Sequence, residues 1–348
     1  MLRGPVKLLR APSSLSAIAT AGLLCVISAA TASANTSIFA PASTPARSIY
    51  ELSLLVLGIT AVIFVLVGGI LAFTVVRYRH RPGDEDGDPP QVYGSNSIEL
   101  AWTVIPILTV LVLFLVTTRT IVEVQSAVAP PGALEVTVVG RQWWWEFRYP
   151  ELGVVTANEL HIPVSEVDDR RPTYLDLESD DVIHSFWVPR LAGKVDVVPN
   201  RDNRMWVEPF ETGTFLGQCA EYCGTQHANM LLRVVVHTRE DFERWVAEQR
   251  KPPVEDSSVR DGREIFFTTA CVSCHTVGES VADGRFGPDL THLMSRETIG
   301  AGVAANTREN LRDWIADPDH LKPGVLMPAM KLDDHDLDRL VAYLVTLE

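Results

Sequence analysis

Two long apolar runs dominate the first third of the chain. Residues 52–76 carry no charged side chain and are long enough to cross the hydrocarbon layer of a bilayer with some tilt. Residues 100–116 form a shorter run around Pro106, which membrane helices tolerate. A buried core helix is the alternative, and length without charge disfavours it for the first run. The basic segment RYRHR after that run marks the cytoplasmic side, so the pattern predicts a membrane hairpin over residues 50–120 with both ends outside.

The N-terminal pattern differs from both runs. Residues 1–34 combine a basic start, the apolar centre AIATAGLLCVISAA and the small residues ASA, which together predict a secretory signal peptide. Cys25 lies inside this centre. A lipid anchor would prefer a small residue before that cysteine, but Leu24 stands there, so we expect Cys25 to leave with the signal.

Short β-type runs replace the long ones over residues 130–240. Segments rich in Val, Thr and aromatic residues are separated by Pro and Gly, a pattern typical of a sandwich or barrel. They are LEVTVVGRQWWWEFRY, VVTANELHIPV, TYLDLES, SFWVP, RMWVEPF and MLLRVVVH. Thr238 is expected to cap a short helix after them. Residues 249–257, with two prolines and no apolar pattern, read as a linker.

The last segment, residues 258–348, has helical periodicity. One face of its final helix is apolar, at Leu337, Leu340, Val341 and Leu344. Asp333 is placed to cap that helix, and an earlier short helix is expected after Thr307. The pattern predicts a small all-α domain, third after a hairpin and a β-domain.

Charge and cysteine content narrow the function. Acidic residues outnumber basic ones 44 to 30, which argues against a nucleic-acid partner. Four of the five cysteines form two tight pairs, Cys219 with Cys223 and Cys271 with Cys274. This usage indicates metal or cofactor chemistry rather than a disulfide framework.

The pentapeptide CVSCH at residues 271–275 has the spacing of covalent c-type haem attachment. Cys271 and Cys274 would bond the porphyrin, and His275 would lie beneath the iron. A redox dithiol does not require the histidine, and half of a zinc site would need a second cysteine pair that does not follow. One covalent haem c is therefore predicted.

A methionine from the opposite side would complete an iron site suited to electron transfer. Met294 stands close to His275 in the chain, whereas the loop KPGVLMPAM offers Met327 and Met330 before the final helix. Core filling is the alternative for each. This region resembles small class I cytochromes c, whose Met-Pro loop carries the axial ligand, and that resemblance selects Met327. The segment FGPDL resembles the part of that family that packs beside the histidine.

The stretch CAEYCGTQHANM, residues 219–230, concentrates two thiols, an imidazole and a thioether. On a straight helix its ends would stand roughly 16 Å apart, too far for a centre with bonds near 2 Å. If these groups act together, the chain must curl, and Gly217 and Gly224 favour a bent loop. Such soft ligands select copper or zinc, and Met230 favours copper.

A further imidazole is available at His184, in DVIHSFWVP. Two alternatives stay open from the residues alone. Cys219 and Cys223 have spacing compatible with a disulfide in an exported chain, and His184 has the setting of a core histidine.

The pattern C-x-E-x-C-x3-H-x2-M is similar to the binuclear copper A motif of cytochrome c oxidase subunit II. The resemblance covers about residues 50–240, where IELAWTVIP, GRQWWWEFRY, DVIHSFWVP and KVDVVPNR follow in the family's order. VVPNR departs from the usual Pro-Gly-Arg. The resemblance implies a cupredoxin-like barrel or sandwich, and with the fused haem domain the chain is similar to the caa-type oxidases.

The resemblance implies six copper ligands. Cys219 and Cys223 would be the bridging thiolates, and His184 and His227 would each bind one copper through the imidazole. Met230 would be a weak thioether ligand, and Glu221 would contribute its backbone carbonyl. It further implies that the Glu221 carboxylate faces a magnesium site shared with subunit I. Trp143 corresponds to the tryptophan where electrons enter, although at least one ring of WWW is expected in the core. Glu99 corresponds to a glutamate at the mouth of a proton path, or is an ordinary interfacial acid.

Together these features predict an electron-input subunit of a terminal oxidase. Electrons would pass from cytochrome c or a quinol–cytochrome complex, through haem c and copper A, to subunit I, which reduces oxygen. The chain would lie in the bacterial inner membrane beside other oxidase subunits, with both metal domains periplasmic. A tether, rather than opposite charge, would keep the haem domain close. The alternatives are the copper A subunit of a nitric oxide reductase and a membrane-anchored copper-delivery protein.

Overall fold

The computed structural model describes residues 36–80, 91, 93–125, 129, 131–166, 168–254, 256–278 and 280–348. The predicted signal peptide and most of the predicted loop between the two membrane helices lie outside the described residues. The domain boundaries proposed above stay predictions, and the elements are given below as the structure has them.

Two long helices form the predicted hairpin. Helix α1 spans Thr44–Arg77 and α2 spans Asn96–Val124, so both extend beyond the apolar runs into polar residues. By length and composition both can cross a membrane, and their central segments are not buried by the rest of the chain. Pro106 lies inside α2. Ser48 Oγ of α1 donates to Glu123 Oε1 of α2 at 3.1 Å.

The start of α1 is joined to the β-domain. Ala42 N donates to Arg190 O at 2.8 Å, and Phe210 N donates to Ala42 O at 3.0 Å. Thr44 Oγ1 donates to Glu208 Oε2 at 2.6 Å. The first membrane helix therefore begins directly from the surface of the β-domain.

Ten strands form this β-domain. In chain order they are β1 Leu134–Arg141, β2 Trp144–Tyr149, β3 Val154–Ala157, β4 Glu159–Pro163, β5 Thr173–Ser179, β6 His184–Trp187, β7 Val195–Val197, β8 Asn203–Val207, β9 Gly213–Cys219 and β10 Leu231–His237. One sheet has the order β3-β2-β1-β5-β8 and the other β4-β10-β9-β6-β7. Their inner faces bury one continuous core, including Trp145, Phe147, Leu160, Phe186 and Phe215. The predicted sandwich is confirmed.

Individual strands differ from the sequence pattern. The run around WWW divides into β1 and β2, which pair antiparallel after the turn at Gln142 and Trp143. The run VVTANELHIPV divides at Asn158, whose φ of 62° turns the chain from one sheet to the other. Strands β7 and β9 were not predicted, because β7 is short and β9 contains two glycines.

Helix α3, Arg239–Gln249, follows β10, and the Thr238 side chain accepts from Asp241 N as predicted. The C-terminal domain contains α4 Arg260–Thr268, the two-stranded β11 Thr298–Ile299 with β12 Ala304–Ala305, α5 Arg308–Ala316, α6 Pro318–Leu321 and α7 Asp334–Leu344. Asp333 caps α7 as expected, and Thr307 caps α5. The apolar face of α7 enters this domain's core with Phe266.

The two extramembrane domains touch each other. Trp144 and Ala157 of the β-domain share a buried cluster with Ala301 of the C-terminal domain. Leu231 N donates to Ala301 O at 3.1 Å. Arg233 Nε lies 3.3 Å from Glu297 Oε2. The sequence predicted only a tether, whereas the structure adds a specific docked interface that includes an ion pair.

Candidate metal centre and haem pocket

The copper-type residues come from one end of the sandwich. His184 begins β6 and Cys219 ends β9, and these strands pair antiparallel with Phe186 opposite Cys219. Cys223 follows in the loop, and His227 opens a short 3₁₀ turn. Met230 lies just before β10. The framework strands thus fix the first and last ligands, and one loop supplies those between.

Their donor atoms converge on one point. Cys219 Sγ lies 3.8 Å from Cys223 Sγ, 3.9 Å from His184 Nδ1 and 3.2 Å from Glu221 O. Cys223 Sγ lies 3.7 Å from His227 Nδ1 and 3.8 Å from Met230 Sδ. Both thiols are free, so the structure contains no Cys219–Cys223 disulfide. Each sulfur therefore has one imidazole neighbour and one weaker donor.

Three glycines shape this end of the domain. Gly224 has φ of 117°, which side chains other than glycine rarely adopt, and it turns the ligand loop back on itself. Gly217 was expected in the bend, but it lies in β9, where a Cβ would stand 2.8 Å from Trp187 O. Gly140 was not singled out by the sequence. A Cβ there would stand 2.8 Å from the ring of His184.

Asp181 orients the His184 ring and was missed by sequence reasoning. Its Oδ1 lies 2.7 Å from His184 Nε2, which turns Nδ1 towards Cys219. Partial burial acts to raise the pKa of Asp181, but hydrogen bonds from His184 and from the N–H groups of Val182 and Gln142 outweigh it and hold the pKa low. The only indication in the sequence is that this acidic residue stands three positions before the candidate ligand His184. Such a partner is common behind metal-binding histidines.

The thiol environment favours one thiolate before any metal arrives. The hydrogen bond with the adjacent Cys223 thiol, followed by those with His184 and the backbone of Glu221, lowers the pKa of Cys219 against the effect of burial. The same hydrogen bond with Cys219, followed by burial and the Cys219 charge, raises the pKa of Cys223. Because thiolate is the form that binds metals, the site holds one sulfur ready and releases the second proton on binding.

The backbone carbonyl and the side-chain carboxylate of Glu221 lie in different surroundings. Its carbonyl faces Cys219, as described above, while its carboxylate Oε2 lies 3.5 Å from Lys194 Nζ at a half-exposed position. The side chain therefore points away from the sulfur cluster and towards the surface, where a partner can reach it.

The three consecutive tryptophans have three surroundings. Trp145 is fully buried, with its ring centre 6.0 Å from that of His184. Trp144 lies at the contact with the C-terminal domain. Trp143 Nε1 donates to Cys223 O at 3.0 Å, and Trp143 also lines the pocket of the C-terminal domain. The predicted core ring is Trp145, and Trp143 stands between two candidate redox sites.

A large pocket in the C-terminal domain contains the haem-type residues. Cys271, Cys274 and His275 line one part of it, and the loop of Met327 and Met330 lines another. The remaining wall is mainly apolar, with Phe266, Leu290, Trp314, Ile315, Leu340 and Leu344. A planar apolar ring with ligands on both faces fits this arrangement.

The His275 ring is fixed from behind. Its Nδ1 lies 2.8 Å from Pro288 O, so Nδ1–H donates and Nε2 faces the pocket. Burial lowers the pKa of His275, which keeps the ring neutral as a ligand must be. A Cβ at Gly287 would stand 2.6 Å from the ring. The segment FGPDL therefore lies beside the histidine, as the family resemblance implied.

Both loop methionines reach the pocket, so its lining alone does not choose between them. Met327 also packs against the core of the domain. Met294 packs against that core too, and its N–H donates to Leu347 O. The structure keeps Met327 and Met330 near the pocket and leaves Met294 a packing role.

Arg296 is a second residue that the sequence did not reveal. Its guanidinium is buried at the pocket, and Nη2 donates to Asp289 O at 2.5 Å. Nε finds no hydrogen-bond partner among the described residues. A buried cation with a spare donor suits a carboxylate of a bound group. No local motif marks it.

Glu99 stands apart from both sites. It lies in the first turn of α2, whereas Glu123, near the other end, contacts the part of α1 that adjoins the β-domain. A helix rises about 1.5 Å per residue, which places Glu99 roughly 36 Å from Glu123 along the axis. The structure therefore does not bring Glu99 together with the metal-site residues.

Comparison with protein families gives three matches in the same order as the domains. Residues 32–119 match the transmembrane domain of cytochrome c oxidase subunit II, and residues 134–238 match its periplasmic domain. Residues 259–348 match cytochrome c.

Two relatives match this chain over most of the length of both proteins. Cytochrome c oxidase subunit 2 of Alkalihalophilus pseudofirmus is 36% identical over 317 residues, covering 88% of this chain and 90% of the relative. The Bacillus subtilis subunit 2 is 33% identical with the same coverage. The crystal structure of the periplasmic domain of subunit II of Bradyrhizobium japonicum is 29% identical, covering 35% of this chain and 97% of that one, with a TM-score of 0.33.

These relatives confirm the predicted hairpin, β-sandwich and cytochrome domain and favour neither the nitric oxide reductase nor the copper-delivery alternative. They also confirm the oxidoreductase class and a membrane-anchored chain with an extracytoplasmic domain. The chain belongs to the cytochrome c oxidase subunit 2 family, as the electron-input subunit of a terminal oxidase that carries its own cytochrome c domain.

Proposed function

We propose that this chain passes single electrons from an external donor through its haem domain and then its copper domain to oxidase subunit I. The observation that carries the proposal is that two thiols, two imidazoles, a thioether and a carbonyl converge. Each neighbouring pair of these donor atoms lies less than 4 Å apart. When bound, copper and haem supply the one-electron redox chemistry that the protein side chains lack.

The copper ligands divide into three pairs by position. Cys219 and Cys223 are central and each touches donors on both sides, which suits bridging of two metals. His184 and His227 lie at opposite ends, and Met230 with the Glu221 carbonyl supplies the weaker outer donors. Burial of the two thiols and of His184 excludes water, so little solvent must reorganise when charge changes.

The haem domain would hold one covalent haem c. Cys271 and Cys274 would form the covalent bonds to the ring, and His275 through Nε2 and Met327 through its sulfur would hold the iron. Arg296 would neutralise a haem carboxylate with its spare Nε–H. These residues would orient the ring and exclude water, and the apolar wall would keep the iron in a low-dielectric pocket.

Trp143 is the proposed point of passage between the domains. This residue lines the haem pocket, and its Nε1 donates to the carbonyl of the copper ligand Cys223. It therefore joins the two sites through one side chain and one hydrogen bond.

The remaining roles concern partners. The Glu221 carboxylate, directed outward beside Lys194, would contribute to a magnesium site shared with subunit I. Glu99, at the remote end of α2, would stand at a proton path into that subunit. We place the chain in the bacterial inner membrane, beside subunit I and other oxidase subunits, with both metal domains periplasmic. Cytochrome c or a quinol–cytochrome complex would be the donor.

Metal and haem analysis of the purified oxidase tests this proposal. We expect two coppers with a mixed-valence paramagnetic signal and one low-spin c-type haem for each chain. A single copper, or a Cys219–Cys223 disulfide in the assembled complex, would refute the copper assignment. A non-covalent haem would refute the roles of Cys271 and Cys274.

A further inference from the structure

Lys322 is a lysine buried between the two extramembrane domains. It follows α6 in the haem domain, and only 2% of its surface is exposed. Its Nζ donates to three carbonyl oxygens: Trp143 O at 2.8 Å, Asn229 O at 2.9 Å and Gly300 O at 2.8 Å. Lysine is almost never this buried without a specific set of partners.

The geometry calls for a charged ammonium group. Three acceptors surround the nitrogen, and only the protonated form has three N–H bonds to give them. Burial lowers the pKa of Lys322 to about 7, and the electrostatic interaction with Cys223 opposes that shift. Among the described residues no carboxylate forms an ion pair with it. Without the ammonium group the three carbonyl oxygens would lose this donor, and unmade buried hydrogen bonds are costly, so the position favours a side chain with several donors.

The three carbonyls belong to segments that matter for electron transfer. Trp143 stands between the two proposed redox sites, and Asn229 immediately precedes the copper ligand Met230. Gly300 lies in the turn between β11 and β12 of the haem domain. Lys322 itself stands five residues before Met327 in the chain. One ammonium group therefore joins the loop of the haem ligand to the loop of the copper ligand.

A reciprocal contact operates at the same interface. Glu159 of the copper domain is 1% exposed, and its Oε1 accepts from the N–H of Glu297 at 2.9 Å and of Thr298 at 3.1 Å. Each domain thus places one buried charged side chain against the backbone of the other. Hydrogen bonds to fixed backbone groups specify orientation as well as proximity.

We propose that Lys322 is a positioning residue that clasps the haem domain onto the copper domain and so fixes the haem pocket against Trp143. Glu159 is the matching clasp from the other side. The docking itself is independent of cofactor chemistry, whereas its consequence for electron transfer rests on the proposed route. The haem domain is held in one orientation rather than swinging freely on its linker.

The variant Lys322→Met tests this clasp in the purified full-length oxidase. It keeps the side-chain length but leaves two carbonyls of the copper domain without their donor. We expect amide hydrogen exchange to become about tenfold faster or more at Leu231, Glu297 and Thr298, whose N–H groups bond across the interface, since unmade buried hydrogen bonds are costly. Lys331→Met, an exposed change on the same loop, is the matched control and leaves exchange unchanged.

A second readout separates positioning from general damage. After flash reduction of haem c, transfer to copper should slow about tenfold or more in Lys322→Met, because misplacement of about 1 Å has large effects on rate. The copper signal and the haem spectrum should stay unchanged. Wild-type exchange together with wild-type transfer would overturn the proposal. If Lys322→Met alters amide hydrogen exchange but the chain lacks the expected metals, the proposed function is refuted and the clasp is supported.

Two further variants cover the outcome in which Lys322→Met fails to fold. Glu159→Gln keeps the shape of the side chain and removes the charge, and it should also speed exchange at Glu297 and Thr298. Lys322→Arg retains cationic donors and should restore part of the protection and part of the transfer rate. Wild-type protection in Glu159→Gln, or no recovery in Lys322→Arg relative to Lys322→Met, would contradict the clasp.

Discussion

The copper and haem sites solve the same task with opposite local designs. In the copper site, strand ends and one tight loop bring neighbouring donors within 3.2–3.9 Å. In the haem domain, the histidine and the methionine loop both line one pocket. A small metal cluster needs donors that nearly touch, whereas a planar ring needs ligands kept apart. The difference teaches that cofactor shape dictates how much of a site the fold assembles locally.

The two sites nevertheless share a device for placing an imidazole. Gly140 leaves room for His184, and Gly287 leaves room for His275. Behind each ring a fixed acceptor receives one imidazole N–H: the Asp181 carboxylate in the copper site and the Pro288 carbonyl in the haem site. The acceptors differ in charge, so the copper-site imidazole gains more basicity than the haem-site one.

The largest expected effect follows removal of a shared sulfur. Cys219→Ser should abolish binuclear copper binding and lower oxygen consumption by more than about a hundredfold, since even outer partners of metal ligands cost 10–100-fold. The haem domain should keep its spectrum, because its ligands lie on other elements. Copper content and paramagnetic resonance measure the first effect, and optical spectra the second. Two retained coppers would show that the thiolate is not a bridge.

The next test distinguishes Met327 from Met330, since both residues line the pocket. Met327→Ala should convert the haem to a high-spin form and lower its potential by on the order of 0.1 V, within the ~0.8 V that axial ligands control. Met330→Ala is the matched control and should leave both unchanged. Optical redox titration measures both variants. The opposite pattern would assign the ligand to Met330.

A smaller effect is expected from the acceptor behind the copper-site ring. Asp181→Asn keeps the size of the side chain but removes the charge beside His184. Copper affinity should fall about 10–100-fold, as for other partners of ligating histidines. Competition with a chelator measures it, with Asp180→Asn, an exposed neighbour, as control. Equal affinities in the two variants would remove Asp181 from the site.

The smallest effect concerns a histidine that is not a proposed ligand. His161 pairs with His237, Nδ1 to Nε2 at 2.8 Å, and burial lowers its pKa to about 3. The unfolded chain therefore binds more protons between that pKa and its ordinary value of 6.5, and stability falls as pH drops through this window. The slope is up to about 1.4 kcal/mol per pH unit.

His161→Gln cannot titrate and should flatten this slope. The pH dependence of the thermal midpoint of the copper domain, compared between wild type and variant, measures it. His335→Gln, an exposed histidine of the haem domain, is the control. Identical slopes in wild type and His161→Gln would show that acid acts elsewhere.

The sequence predicted what is local and missed what is distant. The residues from Cys219 to Met230 are neighbours in the chain, so spacing and ligand chemistry exposed them before any fold was known. Gly217 was assigned to a bend because periodicity says nothing about packing against Trp187. Lys322 and Trp143 are 179 positions apart, and no local pattern joins them. Buried contacts of this kind form only when the two domains dock, and the pattern of residues along one sequence does not reveal that docking.

The anchoring of α1 in the β-sandwich has a mechanical consequence. Because hydrogen bonds tie Ala42 and Thr44 to the domain just as the helix begins, no linker separates the domain from α1 in the described residues 42–77. The height of the copper site above the membrane is therefore set by covalent and hydrogen-bonded geometry. A bilayer of different thickness, which changes the tilt of long helices, would move the sandwich as one body relative to the lipid surface.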